Sequence, residues 1–119
     1  MGKWIGVDLD GTLASHDGKA GGSIGKPLKP MLDRVKGWIA DGIEVRIFTA
    51  RADSTLERIK VSRWLEDNGI GGLAITNKKD WEMLELWDDR AIRVKHNVGD
   101  PCSGCGKETK YSCCYLTEC

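Results

Sequence analysis

The chain has 119 residues, enough for one compact domain and too few for two of ordinary size. Its 18 basic and 18 acidic side chains cancel, so no global field points to a nucleic-acid backbone or an anionic membrane. A hydrophobic share of 40% with five tryptophans argues against a disordered chain, and no run approaches a membrane span; with no signal-peptide profile, the expectation is a cytoplasmic protein.

Lys3 to Asp8 carries Trp4, Ile5 and Val7 in a short apolar run that ends on an aspartate, and predicts a first strand. Residues 15–29 are rich in Gly, Lys and Ser and predict a loop or loose hairpin. Pro30 suits the first turn of a helix. Met31, Leu32, Val35, Trp38 and Ile39 then recur at helical spacing, and Asp41-Gly42 ends the run. From Glu44 to Thr49 the side chains alternate as in a strand, with Val45 and Ile47 on one face and Arg46 and Phe48 on the other. Ser54 followed by Glu57 is a capping box that opens a helix ending at Asn68-Gly69. Leu73 to Thr76 predicts a third strand, Asp80 to Leu84 a helical turn, Leu86 to Asp88 a fourth strand and Ala91 to Lys95 a fifth.

Strands alternating with helices predict an α/β fold of βαβ units around a mostly parallel sheet. Ligands of such sheets bind beyond the carboxyl ends of the strands, where the strand order reverses. Asp8, Thr49, Thr76 and Asp88 all fall at or near such ends. After residue 99 the composition shifts to Cys, Gly, Lys, Ser and Thr, which divides the chain into a domain of residues 1–99 and a tail of residues 100–119.

Phosphoryl transfer needs an in-line nucleophile, neutralised phosphate oxygens and a proton for the leaving oxygen. Asp8 at a strand end suits the nucleophile, which would pass through an aspartyl-phosphate. Asp10, in the turn beyond, suits proton transfer, and Gly11 lets the backbone turn sharply there. Asp88 and Asp89 are a second acidic pair; four converging carboxylates would need a divalent cation, and oxygen ligands alone favour magnesium. Thr49 and a lysine, Lys78 or Lys79, are candidates for holding the remaining phosphate oxygens.

In this order, Asp8-Leu9-Asp10-Gly11-Thr12-Leu13, Phe48-Thr49-Ala50-Arg51, the lysine at 79 or 78, and Trp87-Asp88-Asp89-Arg90 resemble the four motifs of the haloacid dehalogenase-like superfamily across residues 3–95. The resemblance implies a Rossmann-like three-layer fold and a magnesium-dependent phosphatase. It makes Asp8 both nucleophile and metal ligand, and Asp10 general acid and base with its carbonyl on the metal. Thr49 and the lysine become phosphate binders, and Asp88 and Asp89 further magnesium ligands. The intervals between motifs leave no room for a cap domain. Capless members tend to act on large substrates that cover the site themselves, or to borrow a lid from another subunit. Thr49-Ala50-Arg51 and Arg63-Trp64-Leu65 resemble phosphatase domains that trim nucleic-acid ends, so a nucleotide or nucleic-acid end is among the substrates implied.

All five cysteines lie in the tail. Cys102-Ser103-Gly104-Cys105 has the form of a zinc knuckle, and Cys114 with Cys119 would complete a tetrahedral structural zinc site, Cys113 being the alternative to Cys114. His16, in the glycine-rich loop, is close enough in sequence to Asp10 to visit the site. The competing functional reading is a catalytically quiet domain whose zinc finger docks to protein or nucleic acid.

Overall fold

The computed structural model describes residues 2–102. In chain order its elements are β1 (Trp4–Val7), α1 (Lys29–Ala40), β2 (Glu44–Phe48), a 3-10 turn (Ala50–Asp53), α2 (Thr55–Asp67), β3 (Ala74–Thr76) and β4 (Met83–Trp87). Two compact units meet at Asp89/Arg90, earlier than the change in composition near residue 99, and the whole sheet lies in the first.

The sheet runs β3-β2-β1-β4 with every neighbouring pair parallel. Strands 1, 2 and 3 step outward in one direction and β4 lies on the other side of β1, so the order reverses between β1 and β4. Pairing of Ile5 with Val45 and of Val7 with Ile47 puts these four side chains on one face. They form a single core with Met31 and Val35 of α1 and Val61 and Leu65 of α2. The period of two in the strands thus meets the helical stripes on that face. Ser54 starts α2 by accepting from the Glu57 amide (3.2 Å).

The opposite face is built differently. Trp4 is fully buried there, with the Arg46 guanidinium 4.5 Å from its ring centroid. Its indole N–H donates to Asp80 (2.9 Å), which also pairs with Arg46 (3.5 Å). Gly6 makes room: a Cβ would lie 3.1 Å from Trp4 and 3.2 Å from Leu86. The connection from β3 to β4 therefore passes this face without a helix, carrying Asp80 onto the Trp4 indole. Of the three layers implied by the resemblance, the described residues show two, the sheet and its helix pair.

Three sequence expectations change. The helical turn over Asp80 to Leu84 does not form, because the Asp80 carboxylate accepts from the Glu82 amide (2.9 Å) in a local turn and delivers Met83 into register with Trp4. The fourth strand accordingly begins at Met83 and not at Leu86. Ala91 to Lys95 is not a strand. Only Val94 bridges, to Pro101, around a turn in which Asn97 takes a positive φ of 61°.

The loop after β1 is pinned at its neck. Ser15 N–H donates to the Lys26 carbonyl (2.8 Å), Lys26 N–H to Ser15 Oγ (3.1 Å), and Leu28 N–H to the Leu13 carbonyl (2.8 Å). The Trp64 indole of α2 donates to the Gly25 carbonyl (2.8 Å), tying the loop to the helix layer. Among the described residues no helix is long and apolar enough to cross a membrane.

Leu65 is 1% exposed in the core. Leu65→Ala should lower stability by about 2–5 kcal/mol, measured by urea unfolding with an unchanged m-value, since the fixed sheet and α1 cannot collapse into the gap.

Candidate active site

The β1/β4 ladder delivers the site. Val7 pairs with both Ile47 and Trp87, and the Asp8 N–H extends the ladder by donating to the Trp87 carbonyl (2.9 Å). Asp8 and Asp88 therefore leave adjacent strands at the same level. Trp87 is anchored from the helix side by an edge-on contact with Trp38 (5.2 Å between centroids) and by the Arg34 guanidinium (5.4 Å). On the other flank the Thr49 N–H donates to the Thr76 carbonyl (2.8 Å), which brings the ends of β2 and β3 together.

Carboxylate oxygens of Asp8, Asp88 and Asp89 all lie within 4.8 Å of one another. Thr12 knits the group: its hydroxyl lies 3.2 Å from Asp8 Oδ2 and 3.1 Å from Asp89 Oδ1, and accepts from the Asp89 N–H (2.9 Å). Gly11 is required on two counts. Its φ is +91°, and a Cβ there would meet the Asp89 carboxylate at 2.7 Å.

Burial, the charge of Asp88 and the Asp89 carboxylate push the Asp8 pKa up from 3.8 to about 7. A protonated aspartate is a poor nucleophile and a poor ligand. A divalent cation among the three carboxylates reverses the balance by favouring the charged form, and an all-oxygen donor set of this kind fits magnesium. The donors present thus match the expected ion at Asp8, Asp88 and Asp89. Asp10 contributes no side-chain oxygen to this cluster.

Asp10 is held elsewhere. Both its oxygens accept from Arg51, Oδ2 from Nε (2.8 Å) and Oδ1 from Nη2 (2.9 Å). The Arg51 side chain is only 5% exposed, and its Nη1 donates to Glu57 (2.6 Å). These hydrogen bonds raise the Arg51 pKa, Asp10 contributing most, and Arg51 together with Lys60 lowers that of Glu57. His16 reaches toward the same carboxylate, with Nε2 4.0 Å from Asp10 Oδ1, while its Nδ1 accepts from the Gly18 N–H (3.1 Å). That acceptor role puts the proton of a neutral His16 on the nitrogen facing Asp10.

Thr49 is 2% exposed, and its hydroxyl oxygen accepts from the Arg51 N–H (3.1 Å), which leaves the hydroxyl proton to donate to a ligand. Lys78 and Lys79 both stand exposed on the loop after β3, with the Lys78 amide donating to Thr76 Oγ1 (3.0 Å). Among the described residues no ion pair joins either lysine to Asp8. Arg51 and Thr12 carry no role in the sequence pattern alone; both stand within the motifs, and the spacing of Arg51 two residues after Thr49 is the available signal.

Cys102 is 3% exposed, and its amide donates to the Arg93 carbonyl (2.8 Å). Cys105, Cys113, Cys114 and Cys119, the other expected zinc ligands, lie outside the described residues.

Comparison with protein-family models, with curated proteins and with solved structures gave no match to the chain.

The raised pKa of Asp8 has a definite sign in stability. Without metal the fold binds more protons than the unfolded chain between about pH 3.8 and about pH 7, so this contribution is complete below that window and lost as pH rises through it. Urea unfolding in chelator should therefore show wild type losing stability relative to Asp8→Asn as pH rises through the window. Equal pH slopes would contradict the burial of a titrating Asp8.

Proposed function

We propose that this chain is a magnesium-dependent phosphatase acting on a phosphomonoester through an aspartyl-phosphate at Asp8. The observation that carries the reading is the packing of Asp8, Asp88 and Asp89 within 4.8 Å at the point where the strand order reverses. Asp8 and Asp88 are half-buried and Asp89 is exposed, and the crowding of their like charges at one strand end is the feature a bound cation would relieve.

In this account Asp8, Asp88, Asp89 and the Asp10 backbone carbonyl hold the ion. Bound there, magnesium supplies charge neutralisation for the phosphate oxygens and for the carboxylates. Asp8 attacks phosphorus, forming the new O–P bond while the ester O–P bond breaks. The leaving oxygen keeps the bonding pair and takes a proton from Asp10. Water then attacks phosphorus and gives its proton back to Asp10, and the Asp8–phosphorus bond breaks. One ester and one water thus yield one alcohol and one phosphate. Thr49 donates its hydroxyl to the phosphate, and Lys79 or Lys78 swings in from the adjoining loop.

The intervals between strands hold the pinned loop, α1, a 3-10 turn and α2. With no cap domain between them, a large substrate is the natural lid, and phosphorylated nucleotides and nucleic-acid ends are the first class to screen. Exposed Lys19 and Lys26 border the loop and are placed to meet further phosphates. The third layer of the fold, the cytoplasmic setting and any lid from a second subunit belong to the same proposal.

Hydrolysis of a phosphomonoester panel should require magnesium. Asp8→Asn should abolish it, with a fall of at least about 1000-fold in kcat, because the amide cannot form the acyl phosphate. Full turnover in chelator, or in the variant, would end the reading.

A structural zinc on Cys102, Cys105, Cys119 and either Cys114 or Cys113 is the accompanying proposal for the tail. Zinc needs thiolates, so the ion belongs to the reduced protein. Metal analysis after reduction should find one zinc per chain, lost on oxidation. Reduced protein free of zinc after reconstitution would remove it.

A further inference from the structure

The Asp10–Arg51–Glu57 chain of contacts does more than fill a corner of the site. Resting on the phosphatase reading, we infer that Arg51 is the positioning residue for the general acid, holding Asp10 where it can protonate the leaving oxygen, and that Glu57 fixes Arg51 in turn.

Three observations support this. The fork is bidentate: Nε and Nη2 each donate to a different oxygen of Asp10, at 2.8 and 2.9 Å, which fixes both the direction and the plane of the carboxylate. The guanidinium is almost wholly enclosed, 5% exposed, so it is not a mobile surface cation that happens to touch an acid. Finally, the capping box of α2 is half used. Ser54 Oγ accepts from the Glu57 amide, but the Ser54 amide donates to the Arg51 carbonyl, and the Glu57 carboxylate turns to Arg51 and Lys60. A residue that would ordinarily close a helix start is spent on orienting an arginine.

The local backbone is arranged to the same end. Thr49 Oγ1 accepts from the Arg51 amide, so the phosphate-binding hydroxyl and the base of the fork are fixed by one hydrogen bond. Arg58 donates to the Ala52 carbonyl (2.6 Å) and to the Ile75 carbonyl (2.9 Å), tying the 3-10 turn that carries Arg51 to β3. A lysine at this position would offer a single point of attachment and could not set the plane of the carboxylate. In the proton-transfer step, one oxygen of Asp10 leaves Nη2, takes a proton from solvent and passes it to the leaving oxygen while the other stays on Nε. After the transfer, both oxygens return to the fork.

The test separates positioning from folding and from substrate binding. Arg51→Lys, Arg51→Gln and Glu57→Gln are assayed with magnesium on two esters, 4-nitrophenyl phosphate, whose phenolate leaves without a proton, and an alkyl phosphate, whose alkoxide needs one. If Arg51 positions the acid, the alkyl ester should lose about 100-fold in kcat/KM in the Arg51 variants while the nitrophenyl ester loses only a few-fold, because kcat/KM ends at release of the leaving group and excludes the shared hydrolysis of the aspartyl-phosphate. Glu57→Gln should lose less, in the same proportion between the two esters. Circular dichroism monitors folding, and Glu57→Gln carries the test if the buried Arg51 position tolerates no substitution. Equal losses in kcat/KM on both esters would overturn the inference and make Arg51 a structural or phosphate-binding residue. Wild type inactive on both esters would instead mean that the phosphatase reading itself has failed.

Discussion

Three carboxylates that repel one another are held together by the backbone ladder between β1 and β4. The Asp8 amide donates to the Trp87 carbonyl, one residue short of Asp88, so neither acid can withdraw without breaking the sheet. Side-chain packing reinforces the constraint: Trp38 and Arg34 seat Trp87, and Thr12 spans Asp8 and Asp89. The resulting cost appears in Asp8, whose proton is retained to about pH 7 in the metal-free fold. On the proposed reading, a cation at this point would relieve the repulsion and make Asp8 reactive.

Around that cluster the molecule divides the work. Asp8, Asp88 and Asp89 form one acidic group, and Asp10, only two residues from Asp8, is drawn into another with Arg51. The turn at Gly11 makes the separation possible, because any side chain there would strike Asp89. In the proposed phosphatase, one group would bind metal and attack phosphorus while the other would handle protons. The two roles call for different surroundings, and a short stretch of chain supplies both.

Much of this was legible in the sequence. The strand alternation at Val45 and Ile47, the Ser54–Glu57 cap and the aspartates at strand ends all carry local signals, and the structure places them where those signals point. The departures come from contacts distant in sequence. Asp80 was read as part of a helical turn because the indole of Trp4, which holds it, lies 76 residues away. Ala91 to Lys95 has strand-like composition but no partner strand beyond a single bridge, and composition carries no information about partners. Arg51 stands in a motif, but nothing local in the sequence shows that its charged side chain will be buried. The lysine remains the least defined member of the site. Lys78 and Lys79 share a loop and an environment, and neither pattern nor position separates them.

The central claim, that these three carboxylates form a cation site whose occupancy sets the state of Asp8, is tested most directly by titration calorimetry with magnesium near pH 7, run in buffers of differing ionisation enthalpy. The account predicts one ion per chain, with proton release from Asp8 seen as a buffer-dependent heat. Absence of binding at millimolar magnesium, or binding with no proton release, would contradict it.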